Sequence, residues 1–202
     1  MTNMKKYFLL LLLSILLTAC NSTSVTLEKK NVSNSDMIDL SLYDQIINRY
    51  NGFTKKTINQ DSNINNMAFL SNHKYYTDLY NTIVDIDNNG TPELLISVGT
   101  SEGAYKLLDM YTVSSKNKLI RLTTKNNGLD NIGERMILLP LQDGSLLYKG
   151  SASAISQHYI LYKFDQQGTH FSMVVESEKI EGLGDIAEPI DINSFDWISI
   201  KQ

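Results

Sequence analysis

The sequence predicts an α+β domain: an N-terminal helix packed on a mostly antiparallel, curved β-meander, with a β-barrel or sandwich as the alternative closure of the same strands. Three observations predict it. One apolar stripe at helical spacing occurs early, between Tyr43 and Tyr50. From residue 78 onward, short runs rich in β-branched and aromatic residues alternate with turn signals. The connections between those runs are short, which favours antiparallel neighbours.

The helix is expected over residues 41–50. Tyr43, Ile46, Ile47 and Tyr50 fall at i, i+3, i+4 and i+7 and make one apolar face. Ser41 can cap the first turn, and Asp44 three residues later completes a capping-box pattern with Asp in place of Glu. Asn51-Gly52 is the stop signal. Residues 54–74 are polar and Asn-rich, a loop or irregular helical turn with weak helical character near Met67 to Leu70. Strands are expected at 78–84, 94–98, 107–113, 118–122, 136–141, 145–149, 157–164 and 170–176, with a last one at 195–200. Asp143-Gly144 is a strong hairpin signal, and residues 114–117 and 165–168 are plausible turns.

The N-terminus has a different character. Lys5 and Lys6 precede an apolar run from Tyr7 to Leu17, too short to span a membrane and the length of a signal-peptide h-region. The run ends in Leu17-Thr18-Ala19-Cys20, where small residues suit a peptidase groove and the thiol of Cys20 can take a diacylglycerol. This tetrapeptide resembles the lipobox of bacterial lipoproteins. The resemblance implies cleavage of residues 1–19, lipidation at Cys20 and anchoring to the outer face of a cell membrane, outside the cytoplasm. Cys20 is the only cysteine, so the mature chain has no disulfide and no thiolate metal site. Residues 20–37 then read as a lipidated cysteine and a flexible tether, because their isolated apolar residues cannot offset the entropy of ordering; an edge strand at 25–27 is the alternative. Residues 38–202 are expected to form a single domain.

The chain has 18 basic and 22 acidic side chains, and both charges of the first nineteen residues are lysines. The mature part is therefore acidic, which excludes nucleic acid as an expected partner. It also lacks a basic run for anionic lipid.

One segment carries recognisable chemistry. Asp85, Asp87 and Asn89 put oxygen side chains at positions 1, 3 and 5 of a loop, and Gly90 supplies a sharp turn at position 6. Thr91 at position 7 would offer its carbonyl, and Glu93 at position 9 a carboxylate. Calcium takes six to eight hard oxygen ligands, and this spacing wraps them around one point. A polar hairpin turn is the competing reading. The loop resembles the EF-hand loop through position 9 and then departs from it, since position 12 is Ile96. It is more similar to the loops that join two strands in integrin-type propeller repeats, although only one such loop occurs here. The wider stretch, with a Tyr-rich helix before Asp85 to Ile96 and Gly150 to Ala154 before Tyr159 to Tyr162, resembles a group of small lipoproteins of low-GC Gram-positive bacteria. That group implies location and fold and has no established activity.

Other candidates are weak. His73, His158 and His170 have no metal-like neighbour at helical spacing. No nucleophile elbow surrounds Ser151 or Ser153. Gly99 to Gly103 follows a strand with no helix to complete an anion site. Trp197 reads as core or as a lid on the sheet. The expectation is thus a cell-surface lipoprotein, a non-catalytic binding module with a Ca2+ loop, meeting an envelope or host protein or a wall ligand. A carboxylate-based envelope or glycan hydrolase is the alternative, and a transporter's solute-binding lipoprotein the next.

Overall fold

Among the described residues, nine strands form two open antiparallel sheets. The computed structural model describes residues 38–53, 63–72, 74–151, 153 and 156–200. The expected signal at 1–19, Cys20, the tether at 20–37 and His73 lie outside the described residues.

The first sheet contains β1 (Tyr76–Val84), β2 (Glu93–Thr100), β3 (Tyr105–Val113), β4 (Leu119–Arg121) and β9 (Ile198–Ser199), in the order β4-β3-β2-β1-β9. The second contains β5 (Met136–Pro140), β6 (Leu146–Ser151), β7 (Gln157–Phe164) and β8 (Phe171–Ser177), in that order. The first eight strands fall within two residues of their expected spans.

The barrel alternative is wrong, and so is a single continuous meander. The chain changes sheets between β4 and β5. Residues 122–135 bury Leu122, Leu129 and Ile132 in the cluster shared by both sheets, so this stretch fills the core instead of turning a hairpin. The result is two meanders, with β9 returning to pair with β1 through Tyr80–Ser199 and Asn81–Ile198.

Helix α1 (Tyr43–Phe53) follows a short 3-10 turn at Leu40–Leu42. The cap of that turn is Asp39, whose carboxylate accepts from the Ser41 N–H and hydroxyl at 3.1 and 2.6 Å. Ser41 is therefore the donor to a cap, not the cap itself. Asn51-Gly52 lies inside the helix, which runs one residue beyond Gly52. The helix buries Tyr43, Ile46 and Tyr50 in a cluster with Leu79, Leu94, Ile96, Val98 and Leu108 of the first sheet. An aliphatic chain of this size contributes about 1.5–3 kcal/mol on burial. A 3-10 segment, Asn66–Asn72, packs on the same side through Ala68 and Leu70.

The other face of the first sheet meets the second sheet. Leu95, Leu107 and Met110 share a cluster with Leu138, Leu146, Tyr162 and Phe171. A bulge in the β2–β3 ladder after Ile96 switches the alternation of β3, so Leu107 faces the second sheet and Leu108 the helix. The outer face of the second sheet is covered in part by Leu183 and Leu141.

Candidate metal centre

The loop between β1 and β2 tightens through two left-handed residues, Asn88 (φ 58°) and Gly90 (φ 88°). Asn tolerates that conformation and glycine meets no Cβ clash in it. The turn draws its own backbone donors onto the acids. The Asp85 carboxylate accepts from Asn89 N–H at 3.2 Å and Gly90 N–H at 2.9 Å. Asp87 accepts from Asn89 N–H at 3.2 Å, and the Asn89 side-chain Oδ1 accepts from Thr91 N–H at 2.7 Å. The Asn89 amide nitrogen donates to Asp87 at 2.9 Å. These bonds hold the side chains at 85, 87 and 89 inside the turn.

Glu93 closes the loop as the first residue of β2, and it is fully buried. Ile86 N–H donates to one of its oxygens at 3.1 Å and the Thr112 hydroxyl approaches the other at 3.4 Å. One carboxylate oxygen each from Asp85, Asp87 and Glu93 lies within 4.8 Å of the other two. Burial pushes the Glu93 carboxyl up to about 8; the Ile86 N–H opposes this, and the charges of Asp87 and Asp85 add to it. Asp87 is also raised, first by burial. Glu93 thus sits in a field of its own sign, a setting in which a hard cation replaces the missing positive charge.

Of the residues singled out by spacing, Asp85, Asp87 and Glu93 come together. Asn89 joins them through its hydrogen bond to Asp87, and the Thr91 N–H ends on Asn89. The helix braces the loop exit, since the Tyr43 hydroxyl donates to the Pro92 carbonyl at 2.8 Å.

Two further partners were invisible to spacing arguments. The hairpin turns of the second sheet lie against the loop. A Cβ on Gly144 (φ 78°) would stand 3.0 Å from Asp87 Cα, and one on Gly168 (φ 66°) only 2.2 Å from the Asn89 amide nitrogen. Both glycines read from sequence only as turn formers.

A second acid was missed altogether. Asp109 in β3 is fully buried on the helix side of the first sheet. Its carboxylate accepts from the Tyr50 hydroxyl at 2.5 Å, the Tyr111 hydroxyl at 2.8 Å and Asn65 N–H at 3.0 Å. Thr123 donates a further hydroxyl, and Arg121 pairs with it at 3.0 Å from both Nε and Nη2. This network joins α1, the segment at Asn65, β3 and the end of β4.

The remaining candidates have structural roles or line cavities. The Ser151 hydroxyl donates to the Ser153 carbonyl at 2.5 Å. Trp197 stacks on Tyr105 at 5.0 Å and donates its indole N–H to Ile192. His158 and His170 line a cavity on the second sheet. No protein-family model, curated protein or solved structure matches the chain, so its functional reading rests on these residues alone.

Proposed function

We propose that this chain is a lipid-anchored protein on the outer face of a bacterial membrane, a non-catalytic binding module whose loop at residues 85–93 holds calcium. The meeting of three carboxylate oxygens within 4.8 Å, one of them on a fully buried glutamate, carries the calcium reading. Asp85, Asp87 and Glu93 supply the charge. The Asn89 side-chain oxygen and the Thr91 carbonyl complete the set in this reading. An all-oxygen, flexible set without a bidentate acid at position 12 suits calcium over magnesium, which demands a tighter octahedron. The binding of an ion here ties β1 to β2 and relieves the repulsion among the acids. The anchor reading is supported by the basic, apolar and small-residue pattern that ends at Cys20. A hydrolase would need an acid and a base facing each other across a cleft. Two cavities of about 770 and 800 Å³ beside the second sheet are lined by one glutamate each, Glu134 and Glu176, and a third of about 550 Å³ by Glu178 and Glu181, which sit three residues apart on one segment.

Thermal melting in chelator and in about 10 mM calcium tests the metal. With a Kd on the order of 10⁻⁴ to 10⁻³ M, as in extracellular modules, the ion adds about 1.4–2.7 kcal/mol. Asp87→Ala abolishes the gain and magnesium does not reproduce it. Equal shifts in wild type and Asp87→Ala, or no shift in either, reduce residues 85–93 to a turn. Metabolic labelling with a fatty-acid analogue tests the anchor, and label retained by Cys20→Ala refutes it.

A further inference from the structure

The inner face of the second sheet is not wholly covered by the first. Leu146, Tyr162 and Phe171 are buried between the sheets, whereas the side chains of His158 and Glu176, on the same face further along, are 40% and 53% exposed. The ladder registers place Tyr148 beside Ile160, Ile160 beside Glu176, and Gly150 beside His158. A bulge in β8, between the partners of Leu161 and Tyr162, keeps Glu176 on that face. His158 Nε2 stands 3.4 Å from the Glu176 carboxylate.

Tyr148 occupies the centre of this surface. Its ring lies along β6 over Gly150, where an added Cβ would meet the hydroxyl at 2.5 Å and the ring at 2.9 Å. A glycine inside a strand weakens it, and here it makes room for an aromatic ring laid against the backbone. His158 abuts the ring edge-on at 6.3 Å. Among the described residues, the Tyr148 hydroxyl has no hydrogen-bond partner. Tyr148 and His158 line both neighbouring cavities, so a ligand that spans the two passes over them.

The two cavities differ in chemistry. The larger, of about 800 Å³, presents Lys125, Asn126, His170, Ser172 and Glu176. The other, of about 770 Å³, has an apolar wall of Met67, Phe69 and Met136. Basic and acidic groups are mixed around the first, which suits a neutral ligand rich in hydroxyls over a polyanion. A pyranose lays its apolar CH face on an aromatic ring and turns its hydroxyls toward polar groups at the rim. The apolar wall suits small methyl-bearing substituents. Cavities of this size on either side of one ring suit a chain of sugars, not a single unit.

We propose that this cleft binds a neutral, N-acetylated oligosaccharide, with Tyr148 as the stacking platform and His158 and Glu176 as its polar rim. The proposal rests on the reading of the chain as a binding module and is separable from the metal. Isothermal titration of the full chain in detergent with the N-acetylglucosamine hexamer, and with cellohexaose as the acetyl-free control, tests it. The hexamer binds, cellohexaose binds at least tenfold more weakly, and both Tyr148→Ala and His158→Ala lower hexamer affinity at least tenfold. His158 is exposed enough that its variant keeps the fold even where Tyr148→Ala does not, and Glu176→Ala is a second exposed probe. Absence of binding, equal affinity for cellohexaose, or wild-type affinity in His158→Ala and Glu176→Ala overturns the assignment. Chelator arms separate the readings: a calcium-dependent melting shift without glycan binding removes only this proposal, and glycan binding without a calcium shift removes only the metal.

Discussion

The first sheet buries one acid on each face, and the two are handled in opposite ways. Asp109, on the helix side, has its own cation in Arg121 and hydroxyl donors from Tyr50 and Tyr111. Glu93, on the side of the second sheet, has an amide, a distant hydroxyl and two more acids. Burying a charge is costly unless it is paired. Asp109 is therefore complete within the chain and reads as a structural tie. Glu93 either keeps its proton or takes a cation from outside. The same residue chemistry thus marks a support in one place and a candidate site in the other, and the difference lies in the sign of the neighbouring charges.

The largest effect should come from breaking the complete centre. Arg121→Met leaves Asp109 buried without its cation and is expected to cost about 3–5 kcal/mol in urea unfolding. Removing both charges, with Asp109→Asn added, recovers part of that loss, because the orphaned charge is gone and an amide oxygen still accepts from the Tyr50, Tyr111 and Asn65 donors. Calcium-dependent stabilisation should survive in the double variant. If the single variant unfolds at the wild-type urea midpoint, the ion pair is not a tie, and the contrast between the two acids collapses.

The incomplete centre should announce itself through pH. The Glu93 carboxyl is raised from 4.5 to about 8 in the fold. Between those values the folded chain binds a proton that the unfolded chain has lost, so stability falls as pH rises through that window. The stabilisation is full below about 4.5 and gone above about 8. In chelator, wild type should lose melting temperature from pH 5 to 8 relative to Glu93→Gln, which has no proton to lose. Calcium should flatten the wild-type slope by replacing the proton. Parallel profiles for wild type and Glu93→Gln in chelator would show that Glu93 is already compensated by the chain.

Much of this contrast was legible in the sequence, and the illegible part has clear physical causes. Short runs of β-branched and aromatic residues between turn signals located the strands, because strand preference and turn chemistry are both written in neighbouring residues. The acid loop was legible for the same local reason: spacing at 85, 87, 89 and 93 is set within nine residues. Asp109 was not, since a single acid within Leu108-Asp109-Met110 looks like a solvent-facing strand position. Apart from Tyr111, its partners come from residues 50, 65, 121 and 123, and a bulge that no local signal announces switches the alternation just before it. The division into two sheets depended on where Leu122, Leu129 and Ile132 find burial, which is a tertiary fact. The cleft at Tyr148 was equally hidden, because the role of Gly150 appears only when the ring is seen lying on it.

The smallest effect probes how the second sheet touches the incomplete centre. Gly168 and Gly103 both have positive φ, at 66° and 83°, so an alanine at either bears the same kind of backbone strain, about 1–2 kcal/mol. Their surroundings differ. A Cβ at Gly103 meets nothing within 4 Å, whereas one at Gly168 collides with the Asn89 amide nitrogen and comes within 3.2 Å of Asp87 Oδ2. Gly168→Ala must therefore push Asn89 away and break its hydrogen bond to Asp87. In chelator the two variants should differ by about 1 kcal/mol, the net worth of one such bond. In calcium, Gly103→Ala should keep the full wild-type gain and Gly168→Ala only part of it, because Asn89 is one of the proposed ligands. Calcium titrations followed by melting temperature read this directly. Identical responses from the two variants would mean that the β7–β8 turn merely rests near the loop, and that the candidate site belongs to the first sheet alone.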